Sequence, residues 1–159
     1  RKLNLQVIPN LEKWKSLIVN KENAKKEITI ALAGKYTALE DSYASIIEAL
    51  NHCSAHFSVK ISLKWIDTED KDMDLRGVHG VIVPGGFGSR GTEGKIEVIR
   101  QCREKGIPFL GICFGMQMAI IEFARNVCGL SANTTEVDIN CMHPVVDILD
   151  EQKLIVNKG

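Results

Sequence analysis

The sequence predicts an α/β protein built on an open, mostly parallel sheet with helices on both faces. Short apolar runs alternate four times with amphipathic segments, and this alternation is typical of parallel strands that are joined by helices. Of the 159 residues, 45% are hydrophobic and 25% are charged, which is the balance of an ordinary globular domain. A chain of this length is expected to form one domain with its own core.

Charge and cysteine content narrow the range of partners and compartments. The formal net charge is zero, so a basic face for nucleic acid or for an anionic membrane is not expected. Apolar runs are too short to cross a bilayer, and the first residues do not resemble a signal peptide. Five cysteines without close pairs indicate reduced thiols in a cytoplasmic protein. Because the sequence starts without methionine, we expect it to be part of a longer chain.

The period of the apolar residues predicts the order of the elements. An amphipathic lead segment over 1–26, with Asn10 as helix N-cap, is followed by the main domain over 27–159. The charged run 21–27 is expected to be a linker and 133–136 a loop. Strands are expected over 27–33, 59–66, 78–83, 108–112 and 143–149, and helices from 40, over 94–105 and over 116–127. The segments that follow the third and fourth strands should therefore share one edge of the sheet.

The most informative stretch is G-I-C-F-G at 111–115, which joins the fourth strand to a helix. Its spacing is that of a nucleophile elbow with cysteine as the central residue. Two glycines let the strand and the helix pass close together while Cys113 takes a strained turn. The N–H groups at the start of a helix favour the thiolate, which attacks carbonyl carbons. The pattern therefore predicts that Cys113 is a nucleophile; the alternative is a buried, inert cysteine.

A second glycine-rich segment, P-G-G-F-G at 84–88, follows the third strand. Residues 86–91 also match the G-x-G-x-x-G dinucleotide fingerprint, but the next strand ends without the acidic residue that such a site needs. We expect instead that Gly86 directs its N–H toward Cys113. Together with the N–H of Phe114 it would form an oxyanion hole, while the rest of the segment forms a surface loop or a lid.

The general base is harder to predict. His52 and His56 lie four residues apart on a helix, but they lack further ligands at the spacing of a metal site, so no metal is expected. His79 begins a strand at the far edge from Cys113. His143 is the one histidine in a position to reach the site, with Asp147 behind it. The residues thus predict a nucleophile and an oxyanion hole without a convincing base.

Several separate blocks between about Ile28 and Leu149 resemble the class I glutamine amidotransferases, which have a flavodoxin-like fold, and most closely the glutaminase domain of the CTP synthase family. Besides 111–117, the matching blocks are G-K-Y (34–36), L-K-W-I-D (63–67), V-P-G-G-F-G (83–88), R-G-T-E-G-K-I (90–96), F-A-R-N-V (123–127) and A-N-T-T-E (132–136). The lead segment 1–26 resembles the tail and linker that leave the synthetase domain of that family.

The resemblance implies a role for each matching residue. Cys113 would attack the side-chain amide of glutamine and form a thioester, with Gly86 and Phe114 as oxyanion donors. Gln117 and Glu136 would hold the amino-acid end of the substrate. The full set of residues implied in glutamine binding is Gly86, Phe114, Gly115, Met116, Gln117 and Glu136.

The resemblance also implies partners for the domain. Ammonia would pass to a synthetase domain that uses ATP and Mg²⁺ to aminate UTP to CTP, while the present domain holds no cofactor of its own. GTP would act as activator through a lid over residues 87–95, with Phe87 and Arg90 as candidate contacts. A homo-oligomer would form through the synthetase domain.

Two departures from the family leave alternatives open. Phe114 stands where the family commonly has leucine, and the His-x-Glu pair of the family would come after residue 159, so we expect the domain to be incomplete at its C-terminus. One alternative is a cysteine hydrolase of the DJ-1/PfpI type on a similar fold. The other is a non-catalytic regulatory module that binds glutamine or a nucleotide.

Overall fold

The computed structural model describes residues 10–35, 40–86 and 88–149. The helices are α1 (Glu12–Glu22), α2 (Ala44–Phe57), α3 (Thr92–Lys105) and α4 (Phe114–Asn126), with a 3₁₀ turn at Glu40–Tyr43. The strands are β1 (Lys26–Gly34), β2 (Val59–Asp67), β3 (Gly80–Val83), β4 (Phe109–Gly111), β5 (Ala132–Thr134) and β6 (His143–Val146). None of the helices in these ranges is long and apolar enough to cross a membrane.

Four strands form one sheet in the order β2-β1-β3-β4. The β1–β3 and β3–β4 pairs are parallel, which confirms the predicted open, parallel sheet. Val83 at the end of β3 lies beside Gly111 at the end of β4. The loops after these two strands therefore leave the sheet at the same edge, where ligand sites of such folds lie.

The chain divides into two compact units, one formed by Arg1–Ile28 with Tyr43–Ser62 and the other by Thr29–Ser42 with Leu63–Gly159. In the first unit, α1 packs on α2. The predicted N-cap Asn10 lies one residue too early, because the N-cap of α1 is Leu11 and has no side-chain cap hydrogen bond; the Asn10 side chain still accepts a hydrogen bond of 3.0 Å from the N–H of Glu12. The α2 helix ends at Phe57, with Ser58 as its C-cap in the left-handed conformation, and the Ser54 hydroxyl in its last turn donates to the Val59 carbonyl oxygen.

The second unit contains the core on which the site is built. Its buried apolar side chains come from the sheet, from α3 and from α4, and the two helices pack on each other. Each such side chain contributes about 1.5–3 kcal/mol when it is removed from water. The members that matter for the site are Val81, Val83, Ile96, Ile99, Phe114, Met118 and Ile121.

Two ion pairs between described residues cross the contact between α3 and α4, the more exposed Arg125–Glu93 and the more buried Arg103–Glu122. Glu122 is almost fully buried, and its carboxylate accepts hydrogen bonds of 2.8–3.1 Å from Arg103 and one of 3.2 Å from Asn126. A buried carboxylate is tolerated only with such partners. The buried pair fixes how the two helices, and hence the two loops of the site, lie relative to each other.

Two other local predictions were wrong. The charged run 21–27 is not a linker, because α1 continues through Glu22 and β1 begins at Lys26; lysine and glutamate are good helix formers. The predicted loop 133–136 contains the end of β5, which pairs in parallel with β6. Ala-Asn-Thr has weak strand propensity, so this strand exists because of its long-range pairing.

Candidate active site

Cys113 lies between β4 and α4, at the N-cap position of the helix. Its backbone has φ 52° and ψ −112°, and only one other non-glycine residue in the described ranges, Ser58, has a positive φ. Such a conformation costs about 1–3 kcal/mol and is typical of functional sites. The side chain is exposed. The sequence-predicted elbow is therefore present, with a reachable thiol at the start of a helix.

The two glycines of the elbow are required by close contacts. A Cβ on Gly111 would lie 2.7 Å from the backbone nitrogen of Met116, and one on Gly115 would overlap the carbonyl oxygen of Val83. Real Cβ atoms do not approach backbone atoms so closely. The first turn of α4 is thus pressed against the ends of β3 and β4, and this contact sets the position of Cys113.

The loop after β3 reaches the elbow. A Cβ on Gly85 would lie 3.5 Å from the Cβ of Cys113, so the two segments are in van der Waals contact. Gly86 is the next residue along the chain. Phe114 is buried as the first residue of α4, and the first N–H groups of a helix have no partner within it. The structure therefore brings Gly86, Cys113 and Phe114 to one place, as the shared sheet edge predicted.

Gln117 follows Cys113 by one helical turn and is half-buried. Its side-chain oxygen is buried and lacks a hydrogen-bond partner among the described residues. A buried acceptor without a partner costs about 1–3 kcal/mol. This oxygen is therefore able to accept a hydrogen bond from a ligand. Of its neighbours, Gly115 is buried and Met116 is 53% exposed.

Glu136 is exposed in the turn after β5 and lies against the glycine-rich loop. Its carboxylate accepts a hydrogen bond of 3.3 Å from the N–H of Gly88. Its own N–H donates to the Thr134 hydroxyl oxygen. The structure thus places a negative charge beside the loop that contacts the elbow, although 48 residues separate Glu136 from Gly88 in the sequence.

Sequence reasoning missed Lys95, which is only 1% exposed. Its ammonium lies 5.0 Å from the centre of the Phe114 ring and 3.4 Å from the point that a Cβ on Gly86 would occupy. Burial, together with repulsion from Lys35, lowers the pKa of Lys95 to about 8, while attraction to Cys113 opposes this shift. The helical spacing to Ile99 and Cys102 was a signal that Lys95 faces the core.

Of the predicted lid over 87–95, the structure describes residues 88–95. Phe87 lies outside the described residues. The Arg90 guanidinium donates to both oxygens of Glu69, with an Nε–Oε1 distance of 2.8 Å, and this hydrogen bond holds the pKa of Glu69 below its ordinary value. A Cβ on Gly94 would overlap the carbonyl oxygen of Thr68, so the start of α3 is pressed on the end of β2.

The four histidines are all described, and none of their hydrogen bonds reaches Cys113. His143 begins β6, with its Nδ1 3.3 Å from the carbonyl oxygen of Ser131. His79 accepts a hydrogen bond from the N–H of Thr29, and His52 and His56 lie in α2. Asp147 accepts a hydrogen bond from Thr135. Within the described ranges, no group of three or more His, Cys, Asp or Glu side chains could hold a metal ion.

Comparison with known proteins places this site in a family. The family model described as glutamine amidotransferase class-I matches residues 38–157, which is most of the chain. The chain belongs to this family. The predicted resemblance is thereby confirmed at family level, and a cysteine hydrolase of the DJ-1/PfpI type is not favoured.

Similar curated proteins include CTP synthases. That of Methanococcus maripaludis is 48% identical over an alignment of 170 residues, which covers 99% of this chain and 32% of that protein. That of Sulfurisphaera tokodaii is 53% identical over 158 residues, which cover 95% of this chain and 30% of that protein. The chain spans about a third of the length of these relatives.

A solved structure supports the same assignment of the fold. The glutaminase domain of Trypanosoma brucei CTP synthase, with bound acivicin, superimposes with a TM-score of 0.73 at 36% sequence identity. The match covers 79% of this chain and 51% of that chain. The α/β fold predicted from the sequence is therefore confirmed.

Proposed function

We propose that this amidotransferase domain hydrolyses glutamine with Cys113 as the nucleophile and supplies the ammonia for CTP synthesis. The observation that carries the proposal is the strained, exposed cysteine at the start of α4, in contact with the loop after β3. Strained backbone is typical of functional sites. A cysteine held in such a conformation at the start of a helix is placed to act as a nucleophile.

The reaction begins when the Cys113 thiolate attacks the carbonyl carbon of the glutamine side chain. The N–H groups of Gly86 and Phe114 donate to the oxyanion of the tetrahedral intermediate, and each such donor is worth about 3 kcal/mol of transition-state stabilisation. The C–N bond then breaks and ammonia leaves with an added proton. Water cleaves the resulting thioester and releases glutamate, which restores the thiol.

The proton transfers require a general base. Because none of the four histidines, all of which are described, is hydrogen-bonded to Cys113, we propose that the base is the histidine of the His-x-Glu pair that the family resemblance implies. This keeps His143 in a structural role at the start of β6, where it contacts Ser131.

The amino-acid end of glutamine binds between Gln117 and Glu136. The unpaired side-chain oxygen of Gln117 accepts a hydrogen bond from the substrate ammonium. The Glu136 carboxylate balances the charge of that ammonium while it keeps its bond from Gly88. Gly115 and Met116 form the floor of the pocket, with Gly115 too confined to carry a side chain.

The similarity to CTP synthases supports the wider proposal. Ammonia passes to a synthetase domain of the same protein, which activates UTP with ATP and Mg²⁺, and residues 1–26 connect the two domains.

GTP activates hydrolysis through the lid over 87–95. Arg90 is the proposed contact in the described part of that lid, where the nucleotide competes with Glu69 for the guanidinium. The protein acts in the cytoplasm, without nucleic acid or membrane, as a homo-oligomer formed through the synthetase domain.

A glutamine-derived chloroketone tests the proposal in the native full-length protein. We expect it to alkylate Cys113 far faster than the exposed control Cys128, as measured by peptide mass spectrometry over time. Excess glutamine should protect Cys113 and leave Cys128 unaffected. Equal labelling of the two cysteines, or hydrolysis of glutamine by a Cys113→Ser variant, would refute the assignment.

A further inference from the structure

The charge of Lys95 is not explained by the steps above. An ammonium that is removed from water is costly, and it usually persists only with an anionic partner. In the described part of the chain, the charged groups that act on its pKa are Lys35, which repels it, and Cys113, which attracts it. No carboxylate is among them. Glu136, the acidic residue of the proposed substrate pocket, accepts a hydrogen bond from the N–H of Gly88 instead.

Lys95 lies where a positive charge could balance negative charge at Cys113. It lies on α3, with its ammonium 3.4 Å from where a Cβ on Gly86 would be and 5.0 Å from the ring centre of Phe114, the residue that follows Cys113. Gly85 in turn contacts Cys113. The ammonium is therefore close to the Gly86 donor of the proposed oxyanion hole and to the Phe114 side chain, in a place sheltered from water, where one charge acts strongly on another.

We propose that Lys95 is a positioning residue whose buried ammonium stabilises negative charge at Cys113. This inference rests on the proposed role of Cys113 as nucleophile. The ammonium stabilises the attacking thiolate before substrate binds. After attack it stabilises the oxyanion that accepts a hydrogen bond from the Gly86 N–H. It does not exchange a proton with the substrate, so no bond to Lys95 forms or breaks.

The test uses a small neutral reagent, iodoacetamide, on the native full-length protein. Lys95→Met keeps the length of the side chain and removes its charge, whereas Lys95→Arg keeps the charge. We expect alkylation of Cys113 at pH 7 to be about tenfold slower in Lys95→Met, with at least partial rescue in Lys95→Arg. Lys105→Met, at the exposed end of the same helix, is the matched control and should react like the wild type.

The pH profile separates a charge effect from a change of shape. Loss of the ammonium should move the midpoint of the alkylation profile to higher pH, whereas a distorted site would lower the rate at every pH. An unchanged midpoint in folded Lys95→Met would overturn the proposal. Since iodoacetamide does not resemble glutamine, this result is independent of whether the protein hydrolyses glutamine, which the chloroketone reports.

A reciprocal measurement covers the case in which Lys95→Met does not fold. Two coupled charges affect each other equally. Cys113→Ser, at an exposed position, should therefore lower the pKa of Lys95, measured by NMR from the carbon shifts next to its ammonium. Cys128→Ser is the control and should leave that pKa unchanged. An identical pKa of Lys95 in wild type and Cys113→Ser would also overturn the proposal.

Discussion

Replacing Lys95 with methionine should stabilise the protein at neutral pH. Burial lowers the pKa of Lys95 from 10.5 to about 8 in the folded state. Each pKa unit corresponds to about 1.4 kcal/mol, so the buried ammonium costs the folded state about 3 kcal/mol at pH 7. Methionine fits the same space without that cost. We expect Lys95→Met to raise the free energy of unfolding by about this amount, measured in urea at pH 7.

The sign of the pH dependence makes the prediction sharper. Between pH 8 and 10.5 the unfolded chain holds more protons on Lys95 than the folded one, so the wild type gains stability as the pH rises through this window. The advantage of Lys95→Met should therefore shrink toward pH 10.5, while Lys105→Met follows the wild type throughout. A Lys95→Met variant that is less stable at pH 7, or whose advantage does not change with pH, would refute the reasoning.

Three further substitutions test the packing and the pocket. Gly115→Ala should lower the free energy of unfolding by about 1–3 kcal/mol and slow alkylation of Cys113 about a hundredfold, because the new methyl group displaces α4 from Val83. Ile121→Ala should cost about 3 kcal/mol in urea unfolding, whereas its exposed neighbour Ile120→Ala should cost less than about 1. Glu136→Gln should raise the KM for glutamine about tenfold in steady-state assays, with a smaller effect on kcat; an unchanged KM would remove Glu136 from the pocket.

The elbow was predictable from sequence because its determinants are local. Two glycines around a cysteine, a strand before it and a helix after it lie within about ten residues, and the structure shows why each glycine is needed. The parallel order of β1, β3 and β4 was predictable for a similar reason, since alternating strands and helices leave few topologies. Because the loops after β3 and β4 leave the sheet at the same edge, the elbow and the strand order together predicted that Gly85 lies near Cys113.

Residues that depend on distant contacts were harder to find. The sequence alone does not place Glu136 beside Gly88, and its role came only from a family resemblance. Lys95 was missed because lysine is almost never fully buried, although its spacing to Ile99 is that of the core face. The short strand β5 was taken for a loop because its pairing with β6, whose paired residues lie 11–12 positions later, outweighs its composition.

Three features that reduce stability lie at one edge of the sheet. Cys113 has a strained backbone, Lys95 buries a charge, and Gln117 buries an oxygen without a partner in the described chain. Natural folds keep such features where function requires them and compensate elsewhere. Here the compensation is the close packing of α3 and α4 on the sheet below. A substitution that removes one of the three features should therefore stabilise the domain and slow the chemistry together, and Lys95→Met is the variant in which both effects can be measured.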